Sequence, residues 1–406
     1  MPIYRAPDIY VEEVATGPRP IGAVGTSTAA FVGRAPNATK YLNDPRAYNN
    51  WSEFLSELGG DNPKSTDLSH AVFGFFQNGG TRCFAVNIGE SRSLSAGLAT
   101  LEALDEIAIV AAPGFAEAVS YQELLTHCEN MKDRVAIFDP PEQVDKIDQL
   151  TQVAVPREAP APAPAPEGTP RARRPRVAEA EGEGGFRPPM SDKGFGAFYF
   201  PRIKVRDPLS DSVDPVPVPP SGHIAGVWAR TDTERGVHKA PANEPIRGAL
   251  DVTRRITRGE QEVLNPAGVN CIRFFSTEGI RIWGGRTIAA EASEWRYLNV
   301  RRLFNMIEES IARGTRWVVF EPNDRPLWQD IKRDVSAFLR TIWRGGALMG
   351  RTAEQAFFVK CDEETNPQEE IDQGRVTIQV GIAPVKPAEF IVFRIGQYSG
   401  GVEIES

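Results

Sequence analysis

Four histidines and four cysteines are the residues best suited to hold a metal or attack a substrate, and their spacing supports neither role. His70, His127, His223 and His238 include no pair four residues apart, so the two-histidine helical face of a zinc protease is missing. Cys83, Cys128, Cys271 and Cys361 form no C-x-x-C pair, which removes the usual thiolate spacing of a structural zinc. Buried free thiols of a reducing compartment are expected. No lysine follows a glycine, so a Walker A loop cannot be written. Gly22-Ala23-Val24-Gly25-Thr26-Ser27-Thr28 precedes a strand instead of following one, the wrong order for a dinucleotide-binding turn. Gly25-Thr26-Ser27-Thr28-Ala29 lacks the second glycine of a nucleophile elbow and reads as a tight turn. Acidic residues are plentiful, yet spacing alone locates no carboxylate pair. No catalytic, cofactor-binding or metal-ligating residue is assigned, and a non-enzymatic role is expected.

The elements that would position any site are easier to read. The chain has 406 residues, long enough for two or three domains at roughly 100–200 residues each. With 46 Lys+Arg against 54 Asp+Glu the formal net charge is −8, which argues against nucleic acid as a partner. No secretory signal precedes the first strand-like run, and no stretch reaches the ~20 apolar residues of a membrane span. A protein made in the cytoplasm, without membrane insertion, is expected.

Segment 1–22 is a proline-bearing arm around a strand-like centre of Ile9, Tyr10, Val11, Glu12, Glu13 and Val14. Residues 23–150 alternate short apolar runs (29–32, 84–88, 107–111, 135–138) with amphipathic helices and read as an α/β layer domain, the outer one by the resemblance given below. One helix opens at Thr66-Asp67, places Leu68, Ala71, Val72, Phe75 and Phe76 on one face, and ends at Gly79-Gly80; another spans 121–131. Residues 151–192 carry a Pro-Ala repeat, then a basic run of Arg171, Arg173, Arg174 and Arg176 and an acidic run, and are expected to be a disordered surface insertion. Residues 193–396 form a second α/β domain. In it a helix is predicted over 294–313, then a strand over 316–321. A second helix opens at Pro326 with Leu327, Ile331, Val335, Phe338 and Ile342 on its apolar stripe, and strands follow over 356–361, 376–382 and 389–395. The tail 397–406 ends in another strand without a local partner, Val402, Glu403, Ile404 and Glu405. The fold class is therefore mixed α/β with a strand arm at each end.

Several strings occur in an order that resembles one family. They include Tyr10-Val11-Glu12-Glu13-Val14, Val24-Gly25-Thr26-Ser27-Thr28, Pro219-Pro220-Ser221-Gly222-His223 and Ala229-Arg230-Thr231-Asp232. Further along come Gly279-Ile280-Arg281-Ile282-Trp283-Gly284-Gly285-Arg286-Thr287 and Phe320-Glu321-Pro322-Asn323-Asp324, and finally Pro384-Val385-Lys386-Pro387-Ala388-Glu389-Phe390. They resemble the contractile tail sheath proteins of phages, R-type bacteriocins and contractile injection systems. The resemblance covers the first 33 residues and nearly everything after Phe198; it is weak over 34–150, and the 151–192 insertion departs from the pattern. It implies a helical homopolymer around an inner tube protein, closed by baseplate and terminal cap proteins, that shortens to drive the tube through an envelope. It also implies assembly in a bacterial cytoplasm and strand arms at Ile9 to Val14 and Val402 to Glu405 that pair with neighbouring subunits. On the second helix, Lys332, Arg333, Arg340 and Arg344 lie off the apolar stripe and are the expected tube-facing residues. A static shell protein and an unrecognised α/β enzyme are the competing readings.

Overall fold

The computed structural model describes residues 19–91, 93–156 and 184–392. Both expected arm strands, Ile9 to Val14 and Val402 to Glu405, lie outside the described residues, as does the centre of the insertion (157–183).

The apolar runs become short strands buried on both faces because helices cover each side. In chain order they are β1 (Ala29–Gly33), β2 (Arg46–Tyr48), β3 (Cys83–Asn87), β4 (Ile109–Ala111), β5 (Val135–Phe138) and β6 (Gly196–Phe200). Helices α1 (Trp51–Leu58), α2 (Asp67–Gln77), α3 (Leu94–Ala99) and α4 (Ala118–Met131) lie among them. Beyond β6 come β7 (Ile203–Val205), β8 (Val216–Val218), α5 (Ser221–Arg235), β9 (Glu244–Pro245), β10 (Ala249–Val252), α6 (Arg258–Leu264), β11 (Val269–Phe275) and β12 (Gly279–Trp283). Nine strands make one sheet in the order β2-β3-β1-β4-β5-β6-β11-β12-β9. It is parallel from β3 to β11 and antiparallel at its edges. A second sheet of three strands runs β10-β7-β8.

One sheet draws strands from both sides of the insertion. Residues before 150 and after 193 build it together, because β6 lies parallel to β5 with Phe138 opposite Phe198. The two ends of the insertion are also ordered. Val153 bridges Arg187, the Ala154 amide donates to the Arg187 carbonyl at 2.8 Å, and the buried Ser191 hydroxyl donates to Glu129 at 2.7 Å. The two ends of the insertion thus lie side by side on the sheet body.

Packing follows the predicted stripes. Thr66 caps α2 in a capping box with Ser69, and Leu68, Ala71, Val72 and Phe75 enter the core on one sheet face with α5. The two helices cross at glycines: a Cβ at Gly222 would sit 2.2 Å from the Ala71 Cα. The other face is filled by α3, α4 and the Leu264 end of α6.

A third core belongs to the C-terminal elements α7 (Leu298–Gly314), α8 (Arg325–Arg344), α9 (Ala353–Ala356), β13 (Phe357–Lys360), α10 (Gln368–Asp372) and β14 (Gln379–Ile382). Leu303, Met306 and Ile307 of α7 meet Leu327, Ile331, Val335, Phe338 and Leu339 of α8, with Val359 of β13 against them.

Four predicted elements here differ. The helix expected from residue 294 starts at Leu298; Glu294–Arg296 is a separate 3-10 turn opened by Ser293, and extended Tyr297 separates the two. The strand expected over 316–321 is a 3-10 turn, Arg316–Val318, followed by a fully exposed Phe320 at φ 72°. Its β-branched residues find no ladder among the described residues, and β propensity without a partner is weak. Residues 389–392 of the last expected strand are not in a sheet, and the rest lie outside the described residues. The 376–382 strand shortens to Gln379–Ile382, with the Thr377 amide taken by Asn366 Oδ1 at 2.6 Å.

Candidate functional site

The α8 helix has one buried side and one exposed side. Asp324 caps it by accepting from the Leu327 amide at 3.1 Å, Pro326 occupies its first turn, and its apolar stripe is buried against α7 and β13. Lys332, Arg333, Arg340 and Arg344 are all exposed. They do not form one free cationic strip. Arg333 donates to Asp330 at 2.6 Å and to Asp334 at 3.1 Å on its own helix, whereas no ion pair holds Lys332, Arg340 or Arg344 among the described residues. Sequence reasoning missed this neutralisation, although Asp330 and Asp334 stand three residues before and one after Arg333.

β13 and β14 form an antiparallel pair in register from Phe357–Ile382 to Lys360–Gln379. Among the described residues no third strand joins this sheet; Leu348 only bridges Pro384 beyond its end. A two-stranded ladder has two open edges and little stability of its own, and here α8 supports one face.

Both ends of the described chain are rooted beside this module. Ile21, expected to belong to a free arm, is 9% exposed and packs into the third core, where a Cβ on Gly314 would strike it. The Arg19 guanidinium lies 4.2 Å from the Trp317 ring centre, and the Val24 amide donates to Ser310 Oγ at 3.0 Å. Residues 19–22 are therefore part of the subunit body. At the other end, Phe390, Ile391 and Val392 are largely exposed.

The joint between module and sheet is a buried ion pair that no sequence signal announced. Arg302 of α7 donates to both carboxylate oxygens of Asp232 on α5, at 2.9 and 2.5 Å, and to the Thr26 carbonyl at 3.0 Å, while its guanidinium lies over Trp228. Both side chains are nearly inaccessible, at 3% and 5% exposure.

The place where an α/β enzyme would work is occupied by a different arrangement. An open crevice of about 930 Å³ lies at the carboxyl ends of β1 and β4, where strand order reverses. In it Ser65 donates to Asp207, and His70 Nε2 stands 3.5 Å from the same carboxylate. The Ser65 hydroxyl thus donates to the Asp207 carboxylate and not to the His70 imidazole, which is not the serine–histidine contact of a hydrolase triad. Asp139, pushed up to about 6 by burial, is covered by Ser221, which donates to it through both its amide and its hydroxyl. Among the described residues no cluster of His, Cys, Asp and Glu suits a metal ion, and no helix is long and apolar enough to cross a membrane.

Comparison with known proteins places this geometry. A model of the phage tail sheath protein central domain matches residues 194–288, and one of the phage tail sheath C-terminal domain matches 290–397. The tail sheath protein of Vibrio phage KVP40 is 30% identical over 177 residues, 43% of this chain and 26% of that protein. A putative prophage major tail sheath protein of Pseudomonas aeruginosa is 27% identical over 201 residues, 48% of this chain and 49% of that one. The matched stretch thus spans a quarter to a half of these curated relatives. Among solved structures, the anti-feeding prophage helical sheath in its contracted state shares 30% identity at a TM-score of 0.73, over 97% of this chain and 100% of that one. The contracted sheath complex of an extracellular contractile injection system, PVC, shares 27% at a TM-score of 0.78, over 98% and 99%.

Proposed function

The chain belongs to the contractile tail sheath family, and we propose that it is the subunit of a helical sheath that polymerises around an inner tube and shortens once to drive that tube through a target envelope. The observation that carries this reading is the likeness to contracted sheath chains along nearly the whole length, which includes the open two-stranded β13–β14 sheet. An open edge on a supported sheet accepts a further strand through main-chain hydrogen bonds, which tolerate rotation between the bodies they join. The donors are Ile9 to Val14 and Val402 to Glu405 of neighbouring subunits. Lys332, Arg340 and Arg344 of α8 face an acidic tube, and Arg333 contributes less because Asp330 and Asp334 hold it.

Contraction in this reading needs no nucleotide. The free energy difference resides in two helical packings of the same subunit, and release is gated by a kinetic barrier. Baseplate and terminal cap proteins close the polymer, and assembly takes place in the bacterial cytoplasm.

Negative-stain electron microscopy of the protein expressed alone, and with its tube protein, tests the reading. Hollow ridged tubes alone and a longer, narrower form around the tube are expected. A single lattice under both conditions would favour a static shell, and small discrete oligomers would remove the sheath altogether. Deleting residues 1–15 or 398–406 should leave folded protein that no longer forms tubes.

A further inference from the structure

Two of the strings that carry the family resemblance, Gly284-Gly285-Arg286-Thr287 and Pro387-Ala388-Glu389-Phe390, meet in the folded chain. Arg286 is 3% exposed, and its guanidinium grips Glu389 with two parallel bonds, Nε to Oε1 at 2.8 Å and Nη2 to Oε2 at 2.7 Å. Its third nitrogen donates to the Asn265 carbonyl at 3.1 Å and lies 3.7 Å from Glu291. The arginine backbone is held in turn: its amide donates to Asn270 Oδ1 and its carbonyl accepts from Asn270 Nδ2, both at 2.8 Å. Asn270 sits in β11, so the grip is fixed to the nine-stranded sheet. A second tether lies upstream, where Asn299 Nδ2 of α7 donates to the carbonyls of Val385 and His238. The segment that leaves β14 is thus pinned to the sheet body, and beyond Glu389 the described residues Phe390, Ile391 and Val392 are largely exposed.

We infer that the Arg286–Glu389 pair is the anchor of the C-terminal arm, passing tension on that arm to the nine-stranded sheet before it reaches β14. The inference rests on the sheath reading, in which a neighbour holds the arm while the subunits swing. Among the described residues β14 has one partner strand, to which four residue pairs hold it. Tension entering at Ile382 would open that ladder one pair at a time from its end, against a small resistance at each step. Tension that stops at Glu389 meets a bidentate, charge-assisted pair on a backbone that is itself locked, and both bonds must break together. The same anchor fixes where the arm leaves the body, which reduces the volume it searches for a neighbour.

Glu389→Gln tests the anchor with little change of shape, and Arg286→Lys tests it from the other side by removing the fork. The full chain is followed by amide hydrogen exchange before assembly, then by pelleting and electron microscopy on its tube. Exchange at residues 383–389 should accelerate about 10-fold in both variants, the scale of a lost charged hydrogen bond. The urea unfolding midpoint should fall only modestly, because the Asn265 carbonyl and Glu291 still face the Arg286 guanidinium, which separates an anchor from a general structural defect. Tube-borne sheath should fall at least about 10-fold at equal protein concentration. Unchanged exchange overturns the anchor whatever happens to assembly, and faster exchange with normal assembly overturns its role in tension. A wild-type chain that forms no polymer overturns the sheath reading itself, while the exchange result still decides whether the pair pins the segment.

Discussion

Acidification should destabilise the subunit through His223, by an amount the structure sets. His223 lies in α5 where it crosses α2, 1% exposed, and neither ring nitrogen has a hydrogen-bond partner among the described residues. The crossing is so close that a Cβ on Gly74 would fall 2.2 Å from its Nδ1. Burial first, and the neighbouring His70 second, hold its pKa down from 6.5 to about 3. Because the folded value lies below the unfolded one, the unfolded chain takes up the proton first. The stability contribution is complete above about pH 6.5 and is lost as pH falls toward the folded value. At about 1.4 kcal/mol per unit, lowering the pH from about 7.5 to about 5 costs roughly 2 kcal/mol through this residue alone. His127, held down at about 4 mainly by burial, adds a loss of the same sign. Asp139, pushed up to about 6, acts in the opposite direction because its folded form is protonated first. Comparing His223→Leu with the wild-type chain cancels both. Urea unfolding of the unassembled subunit, followed by tryptophan fluorescence, should show a pH-dependent loss smaller by roughly 2 kcal/mol in the variant. Near neutral pH the variant should be at least as stable, since an unpaired buried polar group has been removed. The same pH dependence in both proteins would refute the reasoning.

Asp232→Ala leaves the Arg302 guanidinium buried without its carboxylate, and urea unfolding should show a loss of about 3–5 kcal/mol. Gly222→Ala forces a Cβ onto the backbone of Ala71, and the same measurement should show about 1–3 kcal/mol lost; a neutral result would mean the helices can part at no cost. All four cysteines are buried, with burial pushing the Cys271 thiol up to about 12, so an aromatic disulfide reagent should label none in the native chain and all four in urea. Lys332→Glu with Arg340→Glu should reduce sheath on the tube, most at low salt, and spare the contracted polymer, while Arg333→Glu does less; equal effects of all three would remove the tube assignment of α8.

Much of this protein was written locally. Apolar runs of four or five residues became β1, β3, β4 and β5, and the capped, striped segments at Thr66 and Asp324 became α2 and α8, because periodicity and caps act within a few residues. The family strings named the assembly, and the exposed basic residues of α8 stand where the helical period put them. Other features waited for the tertiary structure. Nothing in the 151–192 composition says that β6 returns beside β5, since strand order is decided by which faces can be buried together. The 316–321 run has the residues of a strand but no neighbouring strand among the described residues, and its first half folds as a 3-10 turn. The pairs Arg302–Asp232 and Arg286–Glu389 join residues far apart in the chain, each unremarkable in its own string. Turns, caps and stripes were legible because their partners are sequence neighbours. The sheet order, the joint and the anchor were decided only when folding brought distant residues to the same place and withdrew water from between them.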